Sequence, residues 1–298
     1  MRVCTSVHLT TADQSVMKRG DGFMSGTKEM LPRQPFFLNA TYHYSKYVVG
    51  KMGISHFYAF VADDMDVTAL GIPDDCIDIM YRVNPENPDI ILCGTGFSPR
   101  PLELLKGEYY FGVRFLPGYT PGFHSVSFAE IVTKDILFEE LMREKETFDA
   151  IIHTRNFETQ IAAFLKMYCG KYMVEQTTDT YELKEYLRRE ILASHGTKKM
   201  KQLAEDSGYS DRYITKVFKE NYGMTPKRFS EIIKFQYLLQ KLQKCGAGQV
   251  NFMSVAVNHD YYDESHMLRH FRQYINETPK EFYDFVQSDS YHQKLDIL

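Results

Sequence analysis

The chain has 298 residues, enough for two domains that each bury a core. Hydrophobic residues make up 44% and charged residues 25%, which is typical of a soluble globular protein. Taken over the whole chain, the net charge of −4 argues against a nucleic-acid partner, and no apolar run is long enough for a signal peptide or a membrane span. We therefore expect a cytoplasmic protein with no membrane partner.

The charge is unevenly distributed along the chain. Residues 181–287 hold 17 Lys and Arg against 14 Asp and Glu, a net charge of +3, whereas the remainder has a net charge of −7. A basic C-terminal part attached to an acidic N-terminal part points mildly to a nucleic-acid partner. The five cysteines are far apart, with no C-x-x-C pair, so we expect reduced thiols rather than disulfides or zinc ligands.

Five runs in the N-terminal half are typical of strands, since they are short and separated by Gly, Pro and Asp. They are Phe36–Leu38, His56–Ala62, Cys76–Tyr81, Ile90–Cys93 and Tyr109–Phe115. Strands at this spacing predict a small β-barrel or sandwich.

A helix is predicted next, over Asn156–Met173, because Phe157, Ile161, Phe164 and Leu165 recur at helical spacing. Its apolar face fits either a dimer contact or packing against the barrel, and the sequence leaves both open.

The C-terminal part contains an internal repeat. Residues 203–211, LAEDSGYSD, recur as residues 255–263, VAVNHDYYD, at an offset of 52. After one inserted residue the offset becomes 53 and pairs residues 225–227 with 278–280, both TPK. Two copies of one supersecondary unit are the simplest explanation.

Each copy is predicted to be a helix, a tight turn and a second helix. In the first copy Gly208 provides the positive φ of a sharp helix exit, and Ser210 or Asp211 caps the next helix. The buried face of that helix is Ile214, Val217 and Phe218.

The second copy has Val255, Ala256, Tyr261, Met267 and Phe271 at the equivalent core positions. Asp260 stands where the first copy has Gly208, which a left-handed turn tolerates at some cost. A Thr-Pro pair follows each copy and predicts another helix, the first running from about Pro226 to Lys244 as a bridge between the copies.

These residues resemble the AraC/XylS family of bacterial transcription regulators over about 180–288. The resemblance depends on both repeats, on residues 208–210 (GYS), on the pairs 218–219 (FK) and 271–272 (FR), and on both Thr-Pro turns. The helix Tyr181–Ala193 looks like the family's first helix. Asp260 is a departure, because family members usually have glycine there.

The segments 73–78 (PDDCID) and 112–118 (GVRFLPG) look like the cupin-like sensor domains of such regulators. The predicted fold is therefore α+β, with an N-terminal cupin-like β-barrel, a helical linker and a C-terminal all-α domain in which a long helix joins two helix-turn-helix motifs. We expect the sensor domain over 1–148, the linker over 149–178 and the DNA-binding domain over 179–298, with the motifs at about 198–221 and 251–274.

The resemblance also implies which residues contact DNA. Positions that face base edges or the backbone in the family pattern are Arg212, Thr215, Lys216 and Lys219 in the first motif, and Glu264, Ser265, His266, Leu268 and Arg269 in the second. Glu264 repels phosphate and Leu268 offers only apolar contact, so we expect the first motif to dominate affinity.

The function predicted is a sequence-specific DNA-binding transcription regulator, controlled by a small-molecule effector inside the aromatic-rich barrel, with RNA polymerase and a second copy as candidate partners. The alternative is a bifunctional protein whose barrel is a metal-dependent cupin-type enzyme. His43, His56 and His124 stand singly, without the His-x-His pair of metal-binding cupins. We therefore expect no catalysis, cofactor or metal.

Overall fold

The computed structural model describes residues 32–63, 69–119, 121–123, 126, 128–173, 179–245, 250–257 and 261–298. Its N-terminal part is built on β-sheet and its C-terminal part on helices. This confirms the predicted α+β fold class.

The main sheet of the described residues has seven strands in the order β8-β5-β4-β7-β2-β1-β9, and β3 pairs with β6 in a two-stranded sheet. The strands are β1 Thr41–Lys51, β2 Ile54–Ala62, β3 Leu70–Gly71, β4 Asp78–Arg82, β5 Asp89–Cys93, β6 Arg100–Pro101, β7 Tyr109–Phe115, β8 Asp135–Leu137 and β9 Leu295–Ile297. All pairings are antiparallel except that of β1 with β9.

Four of the five predicted strands are present as β2, β4, β5 and β7. The fifth prediction is wrong, because Phe36–Leu38 lies in a 3₁₀ helix, Pro35–Ala40. Pro35 at its start favours a helical turn, and three consecutive buried residues do not show the alternation of a strand. The 3₁₀ helix packs on the sheet instead of joining it.

The main sheet has two apolar faces, each buried in a different core. Along β2, Phe57 and Ala59 belong to the core on the face that we name the outer face, and Tyr58 and Phe60 to the core on the inner face. The 3₁₀ helix covers the inner face, where the Phe37 ring meets the Tyr58 and Phe60 rings edge-on at 6.2 Å.

Gly112 on β7 makes room for this arrangement, since a Cβ there would lie 2.2 Å from the Tyr58 ring. A side chain at this position would displace a fully buried tyrosine.

The α-helices of the described residues all follow β7, with β8 and β9 as the strands that come later in the chain. They are α1 Phe128–Ile131, α2 Glu139–Met142, α3 Lys145–Ile152, α4 Phe157–Met167, α5 Asp179–Ala193, α6 Met200–Ser207, α7 Asp211–Tyr222, α8 Pro226–Lys244, α9 Phe252–Val257, α10 Glu264–Tyr274, α11 Pro279–Gln287 and α12 Asp289–Lys294.

Helix α4 confirms the helix predicted over Asn156–Met173, which continues as a π-helical turn, Tyr168–Tyr172. Asn156 is the N-cap and accepts from the Thr159 amide. The apolar side of α4 packs on the outer face of the sheet, where the Phe164 and Phe57 ring centroids are 5.7 Å apart. Of the two uses left open, the structure therefore has the intrachain one.

Helix α8, whose bounds match the prediction, lies between the two cores. Phe229 and Ile233 belong to the outer-face core together with α7, whereas Ile232, Phe235 and Leu239 belong to the inner-face core together with α10. Thr225 caps α8 and Thr278 caps α11, each with proline at the next position. Both Thr-Pro helix starts are confirmed.

The end of the chain returns to the sheet. Strand β9 pairs with β1 through Leu295, Asp296 and Ile297, and the Lys294 ammonium donates to the Leu38 carbonyl at 2.9 Å. No local signal in the sequence points to this pairing, because its partners are about 250 residues apart.

Two expectations about composition meet the structure directly. Cys76, Cys93, Cys169 and Cys245 are free thiols, as expected, and Cys4 lies outside the described residues. Within the part of the chain that is described, no helix is long and apolar enough to span a membrane.

Candidate DNA interface

The first motif consists of α6, a short turn and α7. Gly208 ends α6 with φ of 74°, a left-handed conformation that glycine adopts at no steric cost because it has no Cβ. Ser210, rather than Asp211, is the N-cap of α7, and its hydroxyl accepts from the Tyr213 amide at 3.3 Å. The predicted glycine exit is therefore confirmed, and the choice of cap is settled.

Helix α7 has one buried side and one exposed side. Ile214, Val217 and Phe218 are buried, as predicted, and pack with α8 and α5. Arg212, Lys216 and Lys219 are exposed on the other side, and Thr215 is half-buried. Lys216 lies 3.9 Å from Glu220, one helical turn further on, a surface pair of little strength.

The second motif consists of α9 and α10. Tyr261, Met267 and Phe271 are buried at the predicted core positions, and Val255 is partly buried. Asp263 caps α10 by accepting from the His266 amide at 2.7 Å. The turn at Asp260 and the Ala256 side chain lie outside the described residues.

The exposed side of α10 carries a different chemistry. Glu264, Ser265 and Arg269 are exposed, whereas His266 and Leu268 are half-buried. The exposed cations of α10 are Arg269 and, three residues further along the helix, Arg272. The nine predicted DNA-contact residues thus occupy the second helices of the two motifs, where six are exposed and three are half-buried.

A match to a known family falls on the same residues. A model of a helix-turn-helix domain matches residues 189–284, from the end of α5 to α11. The chain carries an AraC-type helix-turn-helix domain. The two motifs and the bridging α8 all lie within this AraC-type domain.

Comparison with solved structures finds ToxT from Vibrio cholerae. A structure of wild-type ToxT with a bound unsaturated fatty acid aligns over 82% of this chain and 93% of ToxT, at 12% identity and a TM-score of 0.39. ToxT bound to (E)-4-(8-methylnaphthalen-1-yl)but-3-enoic acid aligns over 77% and 97%, at 14% identity and a TM-score of 0.41. Likeness at this level says nothing about the ligand of this chain. A search of curated protein sequences finds no match to this chain.

Sequence reasoning missed a cluster of rings on the second motif of the AraC-type domain. His266 and His270 are 4.8 Å apart between ring centroids, and the Tyr261 hydroxyl lies 3.2 Å from His270 Nδ1. Burial, followed by the charge of neighbouring His266, lowers the pKa of His270 to about 4. The i, i+4 spacing of two histidines in the predicted second helix was the available signal.

The first motif has an aromatic pair that the sequence analysis also missed. Tyr209 and Tyr213 stack at 5.2 Å with 42% and 40% of their surfaces exposed, at the start of α7 and beside Arg212. Exposed stacked tyrosines enlarge the apolar part of this surface without adding charge.

The inner face of the sheet carries a buried network of charges. The Arg114 guanidinium pairs with both Asp78 oxygens and, at 3.0 Å, with Asp74. Burial opposes the Arg114 charge, but Asp78 and Asp74 hold its pKa well above the usual value. These residues come from the two segments that resemble cupin-like domains, 73–78 and 112–118, which the fold brings together.

Beside this network the inner face contains a small cavity of about 20 Å³, room for one water molecule. Tyr58, Phe37, Thr95 and Arg114 are among its lining residues.

The histidines considered as metal ligands lie apart. His43 is exposed and 3.9 Å from Asp296, whereas His56 is buried with its Nδ1 2.9 Å from the Ser55 hydroxyl. His124 lies outside the described residues. Among the residues that the structure describes, no three His, Cys, Asp or Glu side chains are grouped to hold a metal ion.

Proposed function

We propose that this chain is a sequence-specific DNA-binding transcription regulator that contacts DNA through the second helices of both motifs. The observation that carries the proposal is the AraC-type domain, in which two motifs present α7 and α10 with their cores buried and their polar sides exposed. Two motifs joined by one stiff helix can reach successive major-groove segments, about 34 Å or one turn of DNA apart.

Within this proposal Arg212 and Lys216 contact base edges, and Lys219 contacts the backbone. Thr215 and Ser265 are positioned for weaker hydrogen bonds, and Arg269 is the main base-reading cation of the second motif. Arginine and lysine donate to guanine O6 and N7, which is the commonest specific contact in the major groove.

Selection of genomic fragments tests the proposal. The purified full chain is mixed with a genomic digest, bound fragments are recovered and sequenced, and the double variant Arg212→Ala/Lys216→Ala serves as the matched control. We expect a shared site of about two DNA turns to be enriched by the wild-type chain and not by the variant. Recovery of the same random fragments by both proteins would contradict sequence-specific binding.

We further propose that a small-molecule effector controls DNA binding from the inner face of the sheet. The cavity there is small because the 3₁₀ helix fills the space, so an effector larger than water must displace Phe37. The same 3₁₀ helix contacts the AraC-type domain, since the Phe36 ring stacks on Phe285 of α11 at 5.5 Å. The Gln236 side chain of α8 also bonds to the Arg33 backbone. Displacement of this segment would therefore reach the helices that hold the second motif.

Metabolite screening by thermal shift of the full chain tests the effector proposal, because a ligand of the folded state raises its melting temperature. Hydrogen exchange then locates each hit. We expect faster exchange in residues 35–40 and slower exchange in β2 and β7. Hits whose effects are confined to residues 189–284 would contradict an effector site on the sheet.

RNA polymerase and a second copy of the chain remain candidate partners in this proposal, with the cytoplasm as the compartment shared with DNA. A homodimer would use a surface other than the apolar side of α4, because the sheet covers that side. The alternative function, a metal-dependent cupin-type enzyme barrel joined to the DNA-binding part, is tested directly by metal analysis of the purified full chain.

A further inference from the structure

Arg228, in the first turn of α8, lies between the sheet and the second motif. Its guanidinium donates to the Phe97 carbonyl at 3.0 Å and lies over the Phe97 and Tyr274 rings, 5.2 and 5.5 Å from their centroids. In the amide orientation that satisfies its neighbours, the Gln273 oxygen accepts from the same guanidinium at 3.0 and 3.3 Å. One cation therefore links a loop of the sheet to the last turn of α10.

Asp75 is a buried carboxyl group whose charge interacts with that of Arg228. Its side chain is fully buried, its φ is 57°, and no described residue hydrogen-bonds to either carboxyl oxygen. Its backbone is held on both sides, because its amide donates to the Thr95 hydroxyl at 2.7 Å and its carbonyl accepts from the Gly118 amide at 2.7 Å. The backbone thus holds the Asp75 carboxyl group in a place where no described residue hydrogen-bonds to it.

The groups that face Asp75 determine its charge. Burial and the neighbouring Asp74 raise the pKa of Asp75 well above its usual value, and Arg228 of α8 opposes this. Tyr274 of α10 also faces Asp75, and burial raises the pKa of this tyrosine to about 12. Asp74 is already engaged by Arg114 and the Gln34 amide. Among the described residues, Arg228 is therefore the cation whose charge acts on an ionised Asp75.

We propose that Arg228 is a positioning residue that fixes the second motif against the sheet, and that ionisation of Asp75 draws the Arg228 guanidinium away from Gln273 and Phe97. A carboxylate binds guanidinium through two charge-assisted hydrogen bonds, which are stronger than the neutral ones it replaces. The loss of the Gln273 contact leaves α10 less firmly held. The inference rests on the proposed function, because it assigns Arg228 a part in DNA binding.

The same loop connects Asp75 to the inner face. The Thr95 hydroxyl accepts from the amides of Asp74 and Asp75, and Thr95 and Asp74 both line the inner cavity. An occupant that competes for Thr95 or Asp74 would change the surroundings of Asp75. Through Asp75 and Arg228, an occupant of the inner cavity would therefore change how firmly α10 is held against the sheet.

The sign of the pH dependence follows from the raised pKa. In the closed arrangement, by which we mean the one where Arg228 contacts Gln273 and Phe97, the raised pKa favours a neutral Asp75. The contacts that fix α10 are therefore complete at low pH and are lost as pH rises through the Asp75 pKa of this arrangement. Hydrogen exchange of the α10 amides in the full chain, corrected for intrinsic exchange, measures this between pH 5 and 9. We expect the protection of the α10 amides in the wild-type chain to fall as pH rises. The fall should be about tenfold for each unit by which the Asp75 pKa in the closed arrangement exceeds the Asp75 pKa after Arg228 has left Gln273 and Phe97.

Two variants isolate the switch. Asp75→Asn keeps the size and tolerates the left-handed backbone, and should keep α10 protected at every pH. Arg228→Met should lower protection at every pH, whereas Lys227→Met, an exposed neighbour with the same charge change, should behave as wild type. Wild-type pH dependence in Asp75→Asn, or wild-type protection in Arg228→Met, would overturn the proposal.

Binding to a duplex from the genomic selection separates this inference from the proposed function. We expect the wild-type affinity to fall as pH rises more steeply than that of Asp75→Asn. Exchange that follows the expected pattern without binding to any duplex would refute the proposed function and keep the switch. Specific binding together with pH-independent α10 exchange would refute the switch alone.

Discussion

The two motifs of the AraC-type domain have the same scaffold but expose different chemistry. Helix α7 presents Arg212, Lys216 and Lys219 to solvent, whereas α10 presents Glu264 and Ser265 with Arg269. Their cores also differ, because α7 packs into the core of the outer face of the sheet and α10 into that of the inner face. Under the proposed function, this difference predicts that the first motif supplies more of the DNA-binding energy and that the position of the second motif is the one that is adjusted.

The largest expected effect tests whether the two cores are equally important for folding. Phe218 and Phe271 are equivalent in the repeat, and both have 0% exposure. We expect Phe218→Ala and Phe271→Ala each to lower the free energy of unfolding by about 3–5 kcal/mol, since each leaves a cavity. Urea unfolding of the full chain measures both. The half-buried Thr215→Ala is the control, and a loss below about 1 kcal/mol for either phenylalanine would break the equivalence.

Acidification should affect the second motif more than the first. Burial lowers the folded-state pKa of His270 to about 4, below its unfolded value, so the stability it contributes is present above about pH 6.5 and is lost as pH falls towards 4. We expect a loss of about 2–3 kcal/mol over that range from this group.

Unfolding of His270→Gln across the same pH range isolates this effect, with the exposed His292→Gln as control. The first variant should show a shallower pH dependence than wild type, and the second should not. Equal slopes for wild type and His270→Gln would remove this difference between the motifs.

DNA binding sharpens the comparison further. We expect Arg212→Ala or Lys216→Ala to cost about 1–3 kcal/mol of binding free energy and to relax preference at one or two base pairs. Glu264→Ala and Leu268→Ala should cost less, because neither side chain offers a strong donor to a base. Competition with matched and scrambled duplexes measures all four, and a larger loss in specificity for the second pair would reverse the ranking of the motifs.

The smallest expected effect concerns the DNA backbone. Lys219→Ala removes one cation placed near phosphate, so it should weaken binding to every sequence alike and reduce the log–log salt slope by about 0.9. Titrations at two or more salt concentrations measure this slope. An unchanged slope would indicate that Lys219 is a solvated surface charge.

Local signals were enough to predict the helical region. The Thr-Pro starts, the glycine exit at Gly208 and the apolar period of α7 lie within a few residues of the structure that they specify, and the bounds of α8 match the prediction. The repeat strengthened each signal, because two copies had to obey the same rules. The proposed DNA-contact positions were inferred from the family pattern on these helices and stay a prediction.

The sheet and its contacts depended on partners distant in the chain. Strand β1 pairs with β9 about 250 residues away, and Arg114 with acids 36 and 40 residues away. The contact of Arg228 with Phe97 spans 131 residues, and the 3₁₀ helix that covers the inner face was predicted as a strand. Sequence by itself determined the two motifs, because helices and caps are stabilised by neighbours in the chain. Only the tertiary structure decided how the sheet holds the second motif, because burial and pairing between distant residues have no local signature.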